Sequence, residues 1–385
     1  MQKQQICLFT AHSPASGGGG TILRSLVANM PSLSVTWCYT GSKTNGYEDG
    51  FLGTGVMGGN ILKDIISTFK MLNGFDHAGI NHLVNKMLQI PCDAYWIVSH
   101  NEGLRIALEL AERQTRRPVH LTVHDDWGGA LVPQSVRYSL FAAPANRLTI
   151  KTLKAVSSFD VISYGMQKYY KDISGMHGEV CHRFLSTQQI NVGNNIDAKT
   201  LTVGHIGRLY KKGSLVTLLK LLKKFYEPKG ITPIVKLWGC HLNADSLPAD
   251  LRSNVCFYPT ASETDVIPQL ANCDMLYAMY PLEKKLKVFA QTSLPTKLTS
   301  YLQAGRPILA HCPKDSTLTE FIDSTGLGML WHSDSEAEGM AALAQMSSVG
   351  LTKDGLFKAR ERYFGESNLH VMNKYLKCSG SAART

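Results

Sequence analysis

The sequence lacks the cysteine spacing and the leader segment that mark several classes of protein. None of its nine cysteines forms a Cys-x-x-Cys pair, and four of them lie in or beside apolar runs: Cys7, Cys38, Cys256 and Cys273. This placement favours free, buried thiols and a reducing compartment. The first apolar run, residues 6–9, is too short for a secretory signal. We therefore expect a cytoplasmic protein.

Long apolar runs are also missing. None approaches the ~18 residues that are needed to cross a bilayer, so any membrane contact is expected to be peripheral. The chain has 385 residues, of which 44% are hydrophobic, and this predicts two or three folded domains. Its formal net charge of +10 suits anionic ligands, lipid headgroups or nucleic acid. Ordinary solvated helix faces would also account for these basic residues, which are spread along the chain.

Short apolar runs alternate with longer amphipathic stretches in the first half of the chain. We predict helices at residues 21–29, 103–113 and 166–171, and strands at residues 6–9, 35–39, 94–98, 119–123 and 161–163. Parallel strands need helical crossovers, so this alternation predicts an α/β fold with a doubly wound parallel sheet. The intervening residues 51–89 are predicted to hold a loop and helices.

The polar stretch at residues 186–199 interrupts this pattern, and a second cycle begins at residue 202. Its predicted helices are 214–226, 266–271 and 295–304, and its predicted strands are 202–206, 234–238, 255–258, 275–279 and 307–310. The predicted fold class is thus α/β, with two Rossmann-like doubly wound domains that face each other across a cleft. We predict domains at residues 1–195 and 196–365. A C-terminal segment, 366–385, is predicted to begin as a helix that returns to the first domain and to end as a frayed tail.

Four consecutive glycines, residues 17–20, follow the first strand and open the first helix. A bare backbone there lets a ligand approach closely, which makes Gly18 and Gly19 candidate ligand-lining residues. The pattern does not fit a dinucleotide fold, because the third glycine would fall on Ile22 and no acidic residue closes the second strand. A flexible turn is the alternative interpretation.

Two cations follow the first strand of the second domain. Arg208 and Lys212 lie at the edge where open α/β sheets bind ligands. An arginine supplies a planar fork of donors and a lysine a compact charge, so the pair suits a diphosphate. Solvated surface charge is the alternative. His205, within the strand itself, is predicted to be structural.

A helix that starts at Pro295 and ends at Gly305 carries Lys297 in its first turn. The start of a helix has free backbone N–H groups, and a cation there is mildly unfavourable unless an anion is bound. Together with the two cations after the first strand, this helix start predicts a three-point anion clamp. A plain helix start would account for the proline and the glycine equally well.

Polar residues end the predicted strand at 119–123: His124, Asp125, Asp126 and Trp127. His124 has the chemistry to hydrogen-bond a sugar hydroxyl or to assist proton transfer, and a structural histidine is the alternative. The adjacent aspartates do not form an Asp-x-Asp metal motif, and no spaced His/Cys ligand set is present. We expect no obligatory metal or cofactor.

With these segments, the chain resembles the two-domain retaining glycosyltransferases of GT-B architecture, in particular glycosyltransferase family four. The resemblance covers mainly residues 202–331, and the first domain is similar through its glycine loop, its His124-Asp125 strand end and residues 159–163. The segments that look like successive family blocks are Ile206-Gly-Arg-Leu, Lys212-Gly213, Leu237-Trp-Gly239, Ala271-Asn-Cys-Asp274 and Pro295-Thr-Lys-Leu with Tyr301-Leu-Gln-Ala-Gly-Arg-Pro307.

The resemblance implies that Arg208 and Lys212 bind the donor diphosphate and that His124 and Asp125 lie near the reacting centre. The donor site that it implies comprises Gly18, Gly19, Gly207, Gly239, Pro259, Thr292, Ser293, Leu294, Pro295, Thr296, Lys297 and Ser300. Family members usually carry a Glu-x7-Glu pattern whose second Glu binds the nucleotide ribose. Here Thr292 and Ser300 stand at those two positions, so either Glu283 or another residue takes over this role, or the chain is a divergent or inactive member.

The sequence therefore predicts a metal-independent hexosyltransferase that uses a nucleotide-diphosphate sugar as donor. The resemblance implies retention of configuration and a role in glycan or envelope polysaccharide synthesis, with contact at the inner membrane face. Its acceptor is expected to be a glycan, a lipid-linked or another hydroxyl compound. Three alternatives stay open: a DNA-modifying glycosyltransferase that acts on a hydroxylated base, a non-catalytic sugar-nucleotide-binding protein, and a sugar-nucleotide epimerase.

Overall fold

The computed structural model describes residues 3–15, 17–57, 61–75, 78–113, 116–134, 136–186 and 199–377. Contacts among them divide the chain into two units. The first comprises residues 3–184, 291–294 and 365–377, and the second comprises residues 185–290 and 295–364. Most of the polar stretch predicted to separate two domains, residues 187–198, lies outside the described residues, as does the predicted C-terminal tail.

The first unit is built on a seven-stranded sheet of parallel pairs in the order β3-β2-β1-β4-β5-β6-β7. Its strands are β1 (Gln4–Thr10), β2 (Leu33–Thr40), β3 (Phe51–Gly53), β4 (Ala94–Val98), β5 (Val119–Val123), β6 (Ser158–Val161) and β7 (Glu179–Val180). The chain runs outward from β1 in both directions, so the sheet is doubly wound. This confirms the predicted fold class for the first half of the chain.

Helices connect these strands, as parallel pairing requires. They are α1 (Gly19–Ala28), α2 (Ile61–Asn73), α3 (Ala78–Leu88), α4 (Gly103–Glu112), α5 (Ala142–Ala155), α6 (Tyr164–Ser174) and, from the C-terminal part of the chain, α14 (Ser367–Leu376). The last of these belongs to the first unit. Lys374 forms an ion pair with Glu179, and the ring of Tyr375 stacks on His120 at 5.0 Å between centroids.

The second unit has a six-stranded sheet of parallel pairs in the order β10-β9-β8-β11-β12-β13. Its strands are β8 (Thr200–Ile206), β9 (Thr232–Trp238), β10 (Val255–Tyr258), β11 (Met275–Met279), β12 (Ile308–His311) and β13 (Gly328–Trp331). The order reverses at β8, so this sheet is also doubly wound. The carboxyl ends of β8 and its neighbours are the ligand-binding edge of such a sheet.

The described helices of this part of the chain are α7 (Lys212–Tyr226), α8 (Glu263–Ala271), α9 (Lys287–Thr292), α10 (Lys297–Ala304), α11 (Thr317–Thr325), α12 (Glu336–Met346) and α13 (Lys353–Phe364). On α7, leucines at positions 215, 218, 219 and 222 recur at the spacing of one helix face and are buried in the core. This apolar face explains why the segment is a helix that packs on the sheet.

Several predicted boundaries were wrong by a few residues. Ser163 was predicted to end a strand but caps a helix. The strand predicted at residues 161–163 is β6 and ends at Val161, because Ser163 caps α6 by accepting a hydrogen bond from the N–H of Met166. The helix predicted from Pro295 begins as α10 at Lys297. The N–H of Leu298 already donates to the Pro295 carbonyl three residues earlier, so the segment enters the helix through a tight turn.

Candidate functional site

Two helices of the second unit begin without the usual capping groups. Neither α7 nor α10 has a capping side chain or an acidic residue in its first turn, and each begins with a lysine, Lys212 and Lys297. By contrast, α8 and α11 are capped by Ser262 and Ser316. Uncapped N–H groups beside a cation are the elements of an anion site, because the bound anion satisfies both.

Lys297 is held in place by His205. The imidazole of His205 is fully buried, with Nδ1 at 2.8 Å from the carbonyl oxygen of Tyr277 and Nε2 at 3.3 Å from Nζ of Lys297. A carbonyl only accepts, so Nδ1 carries the proton and Nε2 must accept from the lysine ammonium. Burial, and then the charge of Lys297, lowers the pKa of His205 to about 3, which keeps the ring neutral. His205 therefore orients the lysine.

The Lys297 ammonium also reaches the loop that follows β8. Its Nζ lies 3.4 Å from the carbonyl oxygen of Arg208, and the Arg208 guanidinium lies 5.5 Å from the centre of the Tyr210 ring. Removal from water lowers the pKa of Lys297 to about 8. The structure thus brings Lys297 into contact with the backbone of Arg208, in the loop that carries the second predicted cation. Lys212 is exposed at the first position of α7.

Two glycines continue the ligand-binding edge of this sheet. Gly207 and Gly239 have positive φ values of 75° and 66°, a conformation that suits glycine. The N–H of Gly207 donates to the Trp238 carbonyl, and the N–H of Gly239 donates to the Tyr258 carbonyl. These bonds keep the ends of β8, β9 and β10 aligned. Pro259, the remaining predicted residue of this edge, is exposed directly after β10.

A carboxylate lies beside Ser300, which stands at the position where the resemblance calls for a ribose-binding glutamate. The buried hydroxyl of Ser300 donates to Oε1 of Glu263 at 3.2 Å. Glu263 is the first residue of α8, so a second helix supplies the acidic group to this place. Glu283, which the sequence suggested for this role, lies instead 4.0 Å from Nζ of Lys211.

In the first unit, the glycine loop packs directly against His124. A β-carbon on Gly19 would lie 2.8 Å from Nδ1 of His124, closer than such atoms approach in proteins, whereas a β-carbon on Gly17 or Gly18 would meet nothing within 4 Å. Gly18, at φ 53°, is the N-cap residue directly before α1, and no side chain caps this helix. The bare backbone at Gly19 therefore makes room for the imidazole.

His124 faces a small cavity of about 140 Å³ with His12 and His100. Its side chain is 6% exposed, and neither ring nitrogen has a hydrogen-bond partner among the described residues. Ring centroids are 5.8 Å apart for His100 and His124, and 6.1 Å apart for His12 and His100. Burial lowers the pKa of His124 to about 4, so the neutral ring offers one donor and one acceptor. A buried imidazole of this kind is a ready site for a hydroxyl.

Asp125 joins this histidine cluster to the segment 291–294. Its Oδ2 lies 3.6 Å from Nε2 of His100, and its Oδ1 accepts a hydrogen bond from the Ser293 hydroxyl at 2.8 Å. The carbonyl of Thr292 accepts from the hydroxyl of Ser163. Asp126 has a different role: it is fully buried, accepts from the Tyr170 hydroxyl at 2.7 Å and caps the turn Trp127–Leu131.

The predicted residues thus fall into two groups, each within one unit. Gly18, Gly19, His124, Asp125, Thr292, Ser293 and Leu294 belong to the first unit, and Gly207, Arg208, Lys212, Gly239, Pro259, Pro295, Thr296, Lys297 and Ser300 to the second. His12, His100 and Glu263 were missed. His100 could have been found by the argument used for His124, since it also follows the end of a sheet strand.

Neither a metal centre nor a membrane span is found in the described part of the chain. No group of three or more His, Cys, Asp or Glu side chains there is arranged to hold a metal ion. No described helix is both long and apolar enough to cross a membrane.

No protein-family profile and no curated protein sequence matches this chain. Solved structures do match it over almost the whole length. Sucrose-phosphate synthase from Thermosynechococcus elongatus aligns with a TM-score of 0.66 and 13% identity, over 97% of this chain and 98% of that one. The lipopolysaccharide outer core galactosyltransferase WaaB in its apo form aligns with a TM-score of 0.63 and 13% identity, over 96% and 98%.

A glycosyltransferase from Rickettsia africae ESF-5 aligns with a TM-score of 0.64 and 11% identity, over 98% of this chain and 100% of that one. This chain has the GT-B fold. At such low identity the likeness establishes the architecture alone, because one fold hosts many functions.

Proposed function

We propose that this protein is a glycosyltransferase that binds a nucleotide-diphosphate sugar in its second unit and transfers the sugar to a hydroxyl acceptor. One observation carries the proposal: Lys297, oriented by the neutral ring of His205, begins an uncapped helix beside Arg208. A lysine with a lowered pKa at the start of an uncapped helix, in contact with the loop that carries Arg208, has the elements of an anion site. The likeness to glycosyltransferase structures supports the choice of a sugar nucleotide as that anion.

The diphosphate is the leaving group of this reaction. As the bond to the sugar breaks, negative charge develops on the phosphate oxygen. Fixed cations and N–H groups stabilise that charge without reorganising. We assign this role to Arg208, Lys297 and the start of α10, with Lys212 at the start of α7 as a further cation.

The nucleotide ribose is assigned to Glu263. A carboxylate is the group that commonly accepts hydrogen bonds from ribose hydroxyls in Rossmann-like domains. Glu263, the first residue of α8, accepts a hydrogen bond from the buried hydroxyl of Ser300 in α10. Its carboxylate therefore lies beside the position where the resemblance implies a ribose-binding glutamate. Gly207 and Gly239 contribute no side chain directly after β8 and β9.

The first unit is assigned to the acceptor and to the reacting centre. The unpartnered imidazole of His124 can hold a hydroxyl, and the carboxylate of Asp125 lies at the neighbouring position. Our proposal includes retention of configuration by same-face attack, in which the departing phosphate helps to deprotonate the acceptor. It also includes a hexose as the transferred sugar and a reaction that needs no metal ion.

A panel of nucleotide-diphosphate sugars tests the proposal by thermal shift, because a ligand that binds only the folded state raises its stability. We expect one nucleotide class to raise the melting temperature of the wild-type chain, and Lys297→Met to abolish the shift. A stabilising sugar nucleotide is then incubated with hydroxyl acceptors. Release of the nucleoside diphosphate together with a glycosylated product supports transfer.

Three results would overturn the proposal. If no sugar nucleotide stabilises the protein, the donor site is wrong. If one binds but is never consumed with any glycan, lipid-linked or nucleic acid acceptor, the protein is a sensor. If the donor sugar is converted to its epimer without an acceptor, it is an epimerase.

A further inference from the structure

An exposed apolar patch lies on the first unit, and none of its side chains is among the residues assigned above. Nine large hydrophobic side chains in the described residues are exposed, and six belong to α2 and its surroundings. They are Ile61, Leu62, Ile66, Phe69, Phe75 and Leu140. Single exposed apolar residues need no explanation, but a concentration of six in one region marks an interaction surface.

The helix α2 has two apolar faces. Thr68, Met71 and Leu72 point into the protein. Leu62, Ile66 and Phe69 follow one another at helical spacing on the solvent side, with exposed fractions of 68%, 45% and 46%. The outer face is therefore apolar where a surface helix of a globular protein is normally polar.

Aromatic contacts extend this outer face beyond the helix. The Phe69 ring lies 5.8 Å from Phe75, which is 70% exposed, and 6.3 Å from Phe141. Leu140, next to Phe141, is 86% exposed, and its turn packs against α2. The stripe of α2 and these side chains form what we call the α2 face: Leu62, Ile66, Phe69, Phe75 and Leu140.

Basic residues border the α2 face. Lys63 and Lys70 are exposed on α2 itself, which has only one acidic residue, Asp64. Both lysines also line a cavity of about 590 Å³ between α2, α3 and the end of β3, together with His82 and Lys86. Lys86 donates from Nζ to the Leu52 carbonyl at 2.8 Å. An anionic headgroup at this cavity would meet three lysines.

We propose that the α2 face docks on an anionic phospholipid surface, with its apolar side chains in the acyl boundary and its lysines on the lipid phosphates. Phenylalanine and leucine flanked by lysine are the composition of helices that lie in the membrane interface. Lysine is depleted in protein–protein interfaces, which argues against a protein partner. The formal net charge of +10 adds attraction to an anionic bilayer. This inference does not rest on the proposed sugar transfer.

Vesicle co-sedimentation of the full chain tests the proposal. We expect binding to phosphatidylglycerol-containing vesicles that is at least about tenfold stronger than binding to pure phosphatidylcholine and that weakens with salt. Ile66→Asp should weaken it by about tenfold or more, since the substitution places a charge in the acyl boundary. The matched control is Ile173→Asp, on α6, where the side chain is 39% exposed outside the α2 face. It should bind like the wild type.

The charged border has its own pair of variants. Lys63→Glu with Lys70→Glu should remove the preference for anionic vesicles, whereas Lys168→Glu with Lys171→Glu on α6 changes the net charge equally and should leave most of it. Circular dichroism confirms that each variant is folded. Equal loss from both pairs would reduce the effect to overall charge and overturn the assignment.

Other outcomes would also overturn it. Failure of the wild-type chain to bind any vesicle excludes the bilayer as occupant. A dimer in sedimentation that Ile66→Asp converts to a monomer would assign the α2 face to a second copy of the chain. Protection of the Phe69 side chain from hydroxyl-radical labelling, in the monomer without lipid, would assign the α2 face to a segment of the chain itself.

Discussion

Gly19 and His124 are packed so closely that a β-carbon on the glycine would lie 2.8 Å from Nδ1 of the imidazole. The glycine loop and the end of β5 are therefore one structural feature, although about a hundred residues separate them in the sequence. Gly19→Ala forces the ring away from its place, and we expect transfer to fall by roughly 10- to 1000-fold. Gly17→Ala is the matched control, because its β-carbon meets nothing within 4 Å.

Turnover with the preferred sugar nucleotide checks this prediction, with the melting temperature as a test of folding. Similar activity of Gly19→Ala and Gly17→Ala would show that the position of His124 is unimportant for the reaction.

The cations after β8 are predicted to act on the leaving group. Arg208→Ala and Lys212→Ala should each reduce turnover by roughly 10- to 1000-fold, on the scale of one lost donor to a developing oxyanion. Because the Arg208 guanidinium is assigned to the diphosphate, its removal should also weaken binding of the free nucleoside diphosphate. Steady-state kinetics with product detection measures both. Unchanged turnover in the two variants would remove them from the donor site.

The assignment of the ribose to Glu263 predicts a specific loss of discrimination. The wild-type chain should bind a ribonucleoside diphosphate more tightly than its 2′,3′-dideoxy analogue, and Glu263→Gln should reduce that preference by about tenfold, the size of a hydrogen bond to a charged group. Glu283→Gln is the control, since Glu283 lies near Lys211. Calorimetric affinities for the two nucleotides decide the matter. A loss seen in Glu283→Gln and absent from Glu263→Gln would reverse the assignment.

Buried neutral histidines make the fold sensitive to acid. Burial lowers the pKa of His182 to about 3, below the ordinary value of 6.5. Below pH 6.5 the unfolded chain takes up a proton that the folded chain does not, so this group lowers the free energy of unfolding as pH falls towards 3. Its share is roughly 1.4 kcal/mol per pH unit.

Urea unfolding at pH 5.5 and 4.5, where the unfolded histidine is almost fully protonated, measures this effect. His182→Gln should reduce the pH dependence of the free energy of unfolding by about that share. His370→Gln, an exposed residue of α14, should leave it unchanged. An equal pH dependence in wild type and His182→Gln would contradict a buried neutral ring at this position.

Much of the fold could be predicted from the sequence, because short apolar strands and amphipathic helices differ in period. The doubly wound sheets and the left-handed glycine that ends α10, Gly305, follow from such local rules. The contact between Lys297 and the loop of Arg208 was also predictable, since both lie at one edge of a parallel sheet. That edge argument needs only the order of the elements.

Other features depend on contacts between elements that no local pattern reports. Glu263 and Ser300 lie on different helices, 37 residues apart, so the carboxylate beside Ser300 could not be located from spacing. The bond from Ser293 to Asp125 spans 168 residues and places segment 291–294 in the first unit. The outward apolar stripe of α2 has the same sequence period as a buried one, so only the structure separates its two faces.

The central claim is that Lys297 holds the donor diphosphate, and the pH dependence of nucleotide affinity tests it most directly. In the protein without nucleotide, Lys297 has a pKa of about 8, so its charge is present below pH 8 and lost above it. The affinity of the wild-type chain for the preferred nucleoside diphosphate should fall by about tenfold between pH 7 and pH 9. Lys297→Arg stays charged and should not show this fall, while Lys297→Met should bind weakly at both pH values. An affinity that is constant from pH 7 to pH 9, or that Lys297→Met leaves unchanged, would contradict the account.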